Sequence, residues 1–322
     1  MTDDRVVERT IDEEDAGQRI DKFLAAVIPD RSRVRIQEMI KEGRVTVRGA
    51  LVRPSYRLTP GDVVVAHVSL EEDVELIPQP MPLHVIYEDD DVAAVNKPAG
   101  MVVHPAPGHK ADTLANALLA RFPELAGLAE GEEEPSRRPG IVHRLDKQTS
   151  GLILVAKHEA ARQFLQRQFK ERGVQKTYVA LVEGRLQPPN GVIDAPIGRH
   201  PYHRQRMSVV QRGGRPAQTV YYLIEYLNDY SLISAQPITG RTHQIRVHLA
   251  AIDHPVVGDG VYGYRRQRLS IDRQFLHAWK LALTLPSGEA HEFIAPLPAD
   301  LRQVLVNLAG RDPEELLVGQ GG

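Results

Sequence analysis

The sequence contains no cysteine, which excludes disulfide bonds, thiolate nucleophiles and cysteine-ligated metal sites. This absence agrees with a reducing cytoplasm, which is the expected location. No apolar run approaches the ~18 residues needed to cross a bilayer, so a membrane role is not expected. Residues 1–5 are acidic overall and lack the apolar stretch that follows the basic start of a signal peptide.

The charge that is present is distributed unevenly. The 322 residues carry a net charge of −2, with 42% hydrophobic and 25% charged residues, as expected for an ordinary folded protein with room for two domains. Residues 1–16 hold seven acids and two arginines, whereas residues 17–66 hold ten lysines and arginines against five acids. Residues 199–215 carry five arginines and no acid. Phosphate contacts require such clustered cations, so both basic segments are candidate nucleic-acid surfaces.

The first basic segment has a helical pattern. Residues 20–27 show apolar side chains at the i, i+3, i+4, i+7 spacing of an amphipathic helix. A second helix is predicted from the N-cap candidate Ser32 to Gly43. Its apolar face comprises Val34, Ile36, Met39 and Ile40. Two short strands are predicted at 45–47 and 63–65, which completes a small helix–helix–strand module.

Composition divides the chain into five parts. They are an acidic segment (1–16), the small module (17–68), an acidic and proline-rich linker (69–82), a catalytic domain (83–310) and a frayed C-terminal tail (311–322). The semi-extended linker would let the small module pivot. Within the fourth part, β-rich runs alternate with helical stretches, and short turns between neighbouring strands imply hairpins. We therefore predict an α+β fold with a mixed, largely antiparallel sheet.

Asp146 is the most informative residue of the catalytic domain. It stands between two cations, Arg144 and Lys147, shortly before a buried strand predicted at 152–155. A carboxylate held among cations stays ionised at neutral pH and can act as a nucleophile or a base. The alternative is an ordinary turn aspartate that is ion-paired to one of its two neighbours.

Residues 143–152, His-Arg-Leu-Asp-Lys-Gln-Thr-Ser-Gly-Leu, resemble the catalytic motif of the RluA/RluD-type pseudouridine synthases, which isomerise uridine within RNA. Other blocks resemble that family in the same order, at residues 96–105, 176–184, 239–248, 254–255 and 258–263. The N-terminal module is similar to the S4 RNA-binding module. The resemblance covers roughly residues 17–300 and implies a pseudouridine synthase that needs no cofactor and no metal.

The resemblance assigns roles around Asp146. Pseudouridine formation breaks the N1–C1′ bond and joins C5 to C1′, and Asp146 is the candidate to stabilise the sugar cation, attack C1′ or remove the C2′ proton. Arg246 is expected to pair with Asp146 from a helix that has Thr242 as its N-cap, with Arg241 as the alternative partner. Tyr178 matches the active-site tyrosine, which would support the flipped uracil and manage its C5 proton.

The expected partner is RNA, bound by a monomer. Arg144 is expected to fill the gap that the flipped uridine leaves, although it could instead pair with Asp146. Loop 199–215 is predicted to be a hairpin that grips an RNA stem, and the alternative is a merely solvated loop. The other candidate RNA-binding residues are Arg33, Arg35, Lys41, Arg44, Arg204, Arg206 and Arg241. Resemblance to the RluD branch implies a stem-loop of large-subunit (23S) ribosomal RNA, and transfer RNA is the alternative.

Two other function classes compete with this interpretation. Thirteen histidines suggest a metal-dependent hydrolase, but His243 and His248 are five residues apart, about 140° around a helix, and no His-Glu-x-x-His motif occurs. The second competitor is a non-catalytic RNA-binding or ribosome-assembly factor on the same scaffold. The presence of Asp146, Tyr178 and Arg246 together argues against it.

Overall fold

The computed structural model describes residues 4–29, 31, 33–69, 76–105, 111–129, 139–203, 206–266, 268–269 and 271–318. The chain divides into two compact units, residues 1–75 with 129–137, and residues 76–128 with 138–322. Part of the predicted linker, residues 70–75, lies outside the described residues. Among the helices that are described, none is long and apolar enough to span a membrane.

The first unit packs two helices against a four-stranded antiparallel sheet. Its elements are β1 (Asp4–Thr10), α1 (Ile20–Val27), α2 (Arg33–Lys41), β2 (Val45–Val47), β3 (Ala50–Leu51) and β4 (Val63–Ser69). The strand order is β1-β4-β2-β3. The helix–helix core comprises Ile20, Phe23, Leu24, Ile36, Met39 and Ile40. The predicted module is therefore present, with its apolar helix faces buried against each other and the sheet.

The first strand of this unit was not predicted. Residues 4–10 pair with β4 along their whole length, although composition assigns them to a separate acidic segment. Only Val7 is buried among residues 5–10, so the strand shows no alternation of apolar and polar residues, as is common for a charged edge strand. The proposed N-cap Ser32 and the side chain of Val34 lie outside the described residues.

The second unit contains most of the chain. Its strands are β5 (His84–Glu88), β6 (Val92–Lys97), β7 (Ser150–Ala156), β8 (Gln175–Glu183), β9 (Asn190–Asp194), β10 (Ile197–Arg199), β11 (Met207–Val209), β12 (Gln218–Leu227), β13 (Tyr230–Pro237), β14 (Leu276–Thr284) and β15 (Ala290–Ile294). The helices from Leu76 onward are α3 (Leu114–Arg121), α4 (Ala126–Ala129), α5 (Glu159–Glu171), α6 (Gln244–Ala251), α7 (Ala299–Ala309) and α8 (Pro313–Val318).

A nine-stranded sheet forms the centre of the second unit. Its order is β5-β6-β7-β14-β8-β13-β12-β9, and β15 pairs with β14 beside that path. The β7–β14 pair is parallel and the other pairs are antiparallel. The prediction of an α+β fold with a mixed, largely antiparallel sheet is confirmed. Strands β10 and β11 form a separate antiparallel hairpin, as predicted for the basic loop.

Helices cover both faces of β6 and β7. Successive side chains of a strand point to opposite faces, and here both sets are buried. Ala93 and Val95 face the cluster that contains α3, whereas Leu152 and Leu154 face the cluster that contains Leu165 of α5. A strand buried on both faces is a continuous apolar run, which is why β7 was recognisable from sequence.

The C-terminal residues differ from their prediction. Residues 313–318 were expected to lie in a frayed tail, but they form α8, whose Leu316 and Leu317 are about 95% and 94% buried in the core, next to β12 and α7. Two adjacent leucines give too little periodicity to reveal a six-residue helix. The catalytic unit therefore extends at least to residue 318.

Candidate active site

Asp146 lies in a tight turn that leads directly into β7. The turn is closed by the Thr149 amide, which donates to the Asp146 carbonyl at 3.1 Å. Gly151 follows with φ +116°, and a Cβ there would lie 2.2 Å from the Ala278 carbonyl oxygen of β14. Only glycine permits this backbone and this close strand contact. The carboxylate is thus fixed at the entrance of two central strands.

A buried lysine secures the same turn from β6. The Lys97 ammonium donates to the carbonyls of Pro98 at 2.8 Å, Met101 at 2.9 Å and Lys147 at 3.2 Å. The Gly100 amide also donates to the Lys147 carbonyl, at 2.8 Å. Burial lowers the pKa of Lys97 to about 7. Residues 97–101 therefore act as a brace for the loop that carries Asp146.

Residues before β14 support the turn from another side. Arg273 donates to the Gln148 carbonyl at 3.1 Å, and its guanidinium is paired with Asp300, with Nε 2.6 Å from Oδ2. Gln274 donates to the Thr149 hydroxyl at 3.1 Å. Sequence reasoning did not identify these contacts, because they join positions about 125 residues apart through the parallel β7–β14 pairing.

Arg246 reaches Asp146 from α6, as expected. Its Nη1 donates to Asp146 Oδ2 at 2.8 Å, while Nε and Nη2 form a fork to the carboxylate of Asp259 at 2.7 and 2.9 Å. Asp259 is buried and also accepts from the amides of Val261 and Tyr262. Burial alone would lower the pKa of Arg246, but Asp259 and Asp146 raise it above its usual value. Arg246 is therefore a permanent cation with a fixed direction.

The start of α6 differs from the prediction. His243 is the N-cap residue and has left-handed backbone angles, φ 56° and ψ 21°, whereas Thr242 was expected at that position. The Thr242 hydroxyl instead accepts from Arg144 Nη2 at 2.8 Å. This contact turns the exposed Arg144 toward Thr242, so the cation at Asp146 is supplied by Arg246, and the imidazole Nε2 of His243 lies 3.8 Å from Oδ1.

The pairing register of β7, β14 and β8 places Tyr178 in the site. Tyr178 of β8 pairs with Ala278 of β14, and Ala278 pairs with Gly151 of β7. The tyrosine is therefore placed two strands from the turn that carries Asp146. Burial raises the pKa of the Tyr178 phenol, and the charge of Asp146 raises it further. The phenol stays protonated at neutral pH and can donate a hydrogen bond.

These side chains line one cleft of about 790 Å³. The predicted residues that it brings together are Asp146, Tyr178, Arg246, Arg144 and Arg241. Arg241 is half-buried and donates through Nε to the Pro216 carbonyl at 3.0 Å, so its guanidinium is held at the wall. A polar cleft with one carboxylate among several arginines suits a polyanionic substrate.

The candidate RNA-binding residues of the first unit lie on or beside α2. Arg33 pairs with the buried Asp21 at 3.0 Å, and Arg35 and Arg44 approach Glu42 at 3.6 and 3.4 Å. Their side chains are 51%, 20% and 34% exposed, so Arg33 is the most accessible of the three to a phosphate. The acids hold these cations in place on or beside α2.

The remaining predicted RNA contacts are exposed. Lys41 ends α2, and Arg206 immediately precedes β11 in the basic hairpin. Tyr202, 87% exposed, lies between these hairpin strands near His200, at a ring-centroid distance of 6.2 Å. Arg204 lies outside the described residues. An accessible tyrosine among cations is the surface on which unpaired bases stack.

His143 and His248 have structural partners. His248 Nδ1 and Nε2 lie 2.9 Å from the Thr219 hydroxyl and the Ala195 carbonyl. His143 Nε2 accepts from the Leu154 amide at 2.9 Å, and burial lowers the pKa of His143 to about 3. In the described part of the chain, no group of three or more histidine, aspartate or glutamate side chains is arranged to hold a metal ion.

Comparisons with known proteins agree with this geometry. A family profile described as RNA pseudouridylate synthase matches residues 91–251, and the S4 domain profile matches residues 18–64. An "Uncharacterized RNA pseudouridine synthase" of Chloroflexus aurantiacus is 51% identical, over 92% of this chain and 91% of the relative. "Ribosomal large subunit pseudouridine synthase D" of Escherichia coli O157:H7 is 40% identical, over 95% of each chain.

A solved structure extends the comparison to the fold. "Human RNA Pseudouridylate Synthase Domain Containing 1" aligns with a TM-score of 0.54 and 31% identity, covering 73% of this chain and 99% of the human one. The chain therefore belongs to the RNA pseudouridine synthase family and combines that catalytic fold with an N-terminal S4 domain. It is an RNA-modifying isomerase, as its motifs predict.

Proposed function

We propose that this enzyme isomerises uridine in a stem-loop of large-subunit ribosomal RNA and that Asp146 is its catalytic carboxylate. One observation supports the assignment of Asp146 as the catalytic carboxylate. Arg246 holds Asp146 Oδ2 at 2.8 Å, while among the described residues no hydrogen bond reaches Oδ1. The side chain is 24% exposed in the cleft. A carboxylate with one oxygen fixed and the other free is suited to act on a substrate.

The free oxygen is what the chemistry requires. Cleavage of the N1–C1′ bond leaves positive character on the sugar and negative charge on the uracil. Oδ1 can stabilise the sugar cation, attack C1′ or take the C2′ proton, and each of these steps uses an unoccupied carboxylate oxygen. Tyr178 offers a flat ring to the flipped uracil. Because its phenol is protonated, it donates a hydrogen bond to the base as charge develops there.

RNA would be held by cations that both units supply. Arg144 and Arg241 line the cleft, Arg206 lies on the hairpin, and the S4 domain carries exposed cations along α2. The S4-domain candidates remain Arg33, Arg35, Lys41 and Arg44, and the hairpin candidate Arg204 stays a prediction. Base flipping costs a few kcal/mol, which favours uridines in loops over uridines in stems.

The choice of ribosomal RNA rests on relatives. The Escherichia coli protein and one from Neisseria meningitidis serogroup B, 43% identical over 92% of this chain, are both named for the large ribosomal subunit. We also propose that the protein is a monomer and binds its RNA in the cytoplasm. A sedimentation mass near 35.9 kDa is expected, and twice that mass would overturn the monomer.

The test is tritium release from large-subunit ribosomal RNA that carries tritium at uracil C5, because C5 loses its hydrogen only when it bonds to C1′. Wild-type protein should release tritium and Asp146→Asn should release none, with RNA binding retained. Asp229→Asn is the matched control, because Asp229 is 76% exposed and pairs with Arg268 away from the cleft.

The outcomes separate reaction from substrate. Release by Asp146→Asn at the wild-type rate would remove Asp146 from catalysis. Release from transfer RNA alone would keep the reaction and overturn the ribosomal substrate. No release from either RNA by wild-type protein would overturn the assignment of activity to this chain.

A further inference from the structure

His243 occupies a position that none of the roles above explains. It has left-handed backbone angles, which a non-glycine residue adopts only when its surroundings hold it there. Its Nδ1 lies 2.8 Å from the Tyr262 hydroxyl, and its Nε2 lies 3.8 Å from the free oxygen Oδ1 of Asp146. The ring is thus held at one nitrogen and faces the catalytic carboxylate with the other.

The hydrogen-bond partners favour one tautomer of this ring. The Met207 amide donates to the Tyr262 oxygen at 3.0 Å, so that oxygen already accepts one hydrogen bond. A hydroxyl has a single hydrogen to donate, and among the described residues its acceptor is His243 Nδ1. The neutral ring then carries its hydrogen on Nε2, directed at Asp146 Oδ1.

The neutral ring is also the form that its surroundings favour. Burial lowers the pKa of His243, and the cations Arg246 and Arg144 lower it further. The carboxylates of Asp146 and Asp259 act in the opposite direction. Protonation would place a second cation at Oδ1 while Arg246 occupies Oδ2, which would engage both oxygens of the carboxylate.

We infer that His243 is a positioning residue for Asp146, that Tyr262 holds it as the Nε2–H tautomer, and that protonation of His243 switches the carboxylate off. The inference rests on the proposed catalytic role of Asp146. In the neutral state, Nε2–H orients Oδ1 without forming a close bond, so the oxygen stays available to the sugar. In the protonated state, the imidazolium competes with the sugar for that oxygen.

The test is the pH dependence of single-turnover tritium release between about pH 5 and pH 8, the range in which histidine titrates. The wild-type rate should fall on the acid side, with an inflection below 6.5, the ordinary pKa of histidine. His243→Gln keeps a donor but cannot be protonated, so this inflection should disappear while the neutral rate falls about tenfold, less than for loss of a directly bonded donor.

Tyr262→Phe removes the hydrogen bond that stabilises the neutral ring. The inflection should therefore move to higher pH, and turnover should fall while KM stays unchanged. Tyr264→Phe is the control, because Tyr264 donates its hydroxyl to the Asp253 carbonyl in the neighbouring turn. An unchanged inflection in either His243→Gln or Tyr262→Phe would overturn the inference, even if the other variant fails to fold.

A measurement that needs no activity tests the tautomer. Nitrogen-15 NMR of histidine-labelled protein, with the His243 signal assigned by its loss in His243→Gln, should show Nε2–H at neutral pH, and an Nδ1–H ring would overturn the inference. If wild-type protein releases tritium and Asp146→Asn does not, but the pH profiles coincide, only the inference fails. If Asp146→Asn remains active, the proposed function fails instead.

Discussion

The same four-residue pattern, Arg-(Ile/Leu)-Asp-Lys, occurs once in each unit, and the two aspartates have different environments. In residues 19–22, Arg19 folds back on Asp21, with Nε and Nη2 both 3.0 Å from its carboxylate oxygens. In residues 144–147, Arg144 turns away to Thr242, and the carboxylate of Asp146 is reached by Arg246 from a position 100 residues further along the chain.

The difference lies in how many donors each carboxylate receives. Asp21 is fully buried, and Arg19, Arg33 and Gln37 donate to it. Burial alone would raise the pKa of Asp21, but these hydrogen bonds lower it to about 2. Asp146 is 24% exposed and has one oxygen free. A fully bonded carboxylate stabilises a fold, whereas one with a free oxygen can do chemistry, and a local motif does not distinguish them.

Replacing each carboxylate by an amide gives the largest contrast. Asp146→Asn should lower turnover by at least about 10³-fold, as for loss of other catalytic carboxylates, with its melting temperature unchanged. Asp21→Asn should leave turnover at saturating RNA within about twofold and lower the stability of the first unit by about 1–3 kcal/mol, because arginines lose their buried anion. Single-turnover rates and urea unfolding measure both. A large loss of turnover in Asp21→Asn would contradict the contrast.

Arg246→Lys keeps the positive charge but loses the fixed geometry of the three hydrogen bonds that the guanidinium donates. A lysine cannot fork onto Asp259 and reach Asp146 together, so turnover should fall about 10²-fold with RNA affinity within about twofold of wild type. Arg241→Lys is the control, because Arg241 lines the same cleft and donates to Pro216. Equal losses of turnover and RNA affinity in Arg246→Lys would indicate that Arg246 binds RNA phosphates.

Acid should remove the contribution of the Asp21 carboxylate to stability. The pKa of Asp21 is about 2 in the folded protein against an ordinary value of 3.8, so its carboxylate contributes stability above pH 3.8 that is lost as the pH falls toward 2. The stability difference between wild-type protein and Asp21→Asn should therefore shrink as the pH is lowered from 6 to 3. Urea unfolding at each pH measures it, and a constant difference would contradict the role of the charge.

Replacing Arg144 or Arg19, the arginines of the shared pattern, should have the smallest effects. Arg144→Ala should weaken RNA binding by about 1 kcal/mol without changing stability, because its visible partner is a threonine hydroxyl. Arg19→Ala should lower the melting temperature of the first unit while turnover and RNA affinity are kept. Filter binding and thermal unfolding test the pair. If Arg144→Ala is destabilising and binds RNA normally, Arg144 is structural.

The elements that sequence predicted best are those with strong periodicity. The apolar run of β7 and the spacing of α1 indicate burial by themselves, and both elements are present. Strand β1 and helix α8 were missed because a charged edge strand and a six-residue helix carry almost no pattern. The N-cap was assigned one residue early, since the Thr242 hydroxyl is used by Arg144.

The site was predictable only at its centre. Sequence motifs indicated Asp146, Tyr178 and Arg246, and the structure brings all three to one cleft. Asp259 and Tyr262 were noticed as part of a block, but their partners Arg246 and His243 lie 13 and 19 residues away, at distances that only the packed turn defines. The sequence feature that could have indicated them is the Asp-x-x-Tyr pattern of Asp259 and Tyr262, which is flanked by glycines.

In its protonated form, Lys97 gives the loop that carries Asp146 its own built-in monovalent cation. Its ammonium collects three carbonyl oxygens, Pro98, Met101 and Lys147, in the way that a coordinated ion would, but it is tethered to β6. Surface cations that grip RNA compete with dissolved salt, whereas a fully buried ammonium does not. Raising the ionic strength should therefore release the RNA long before it loosens the loop that carries Asp146.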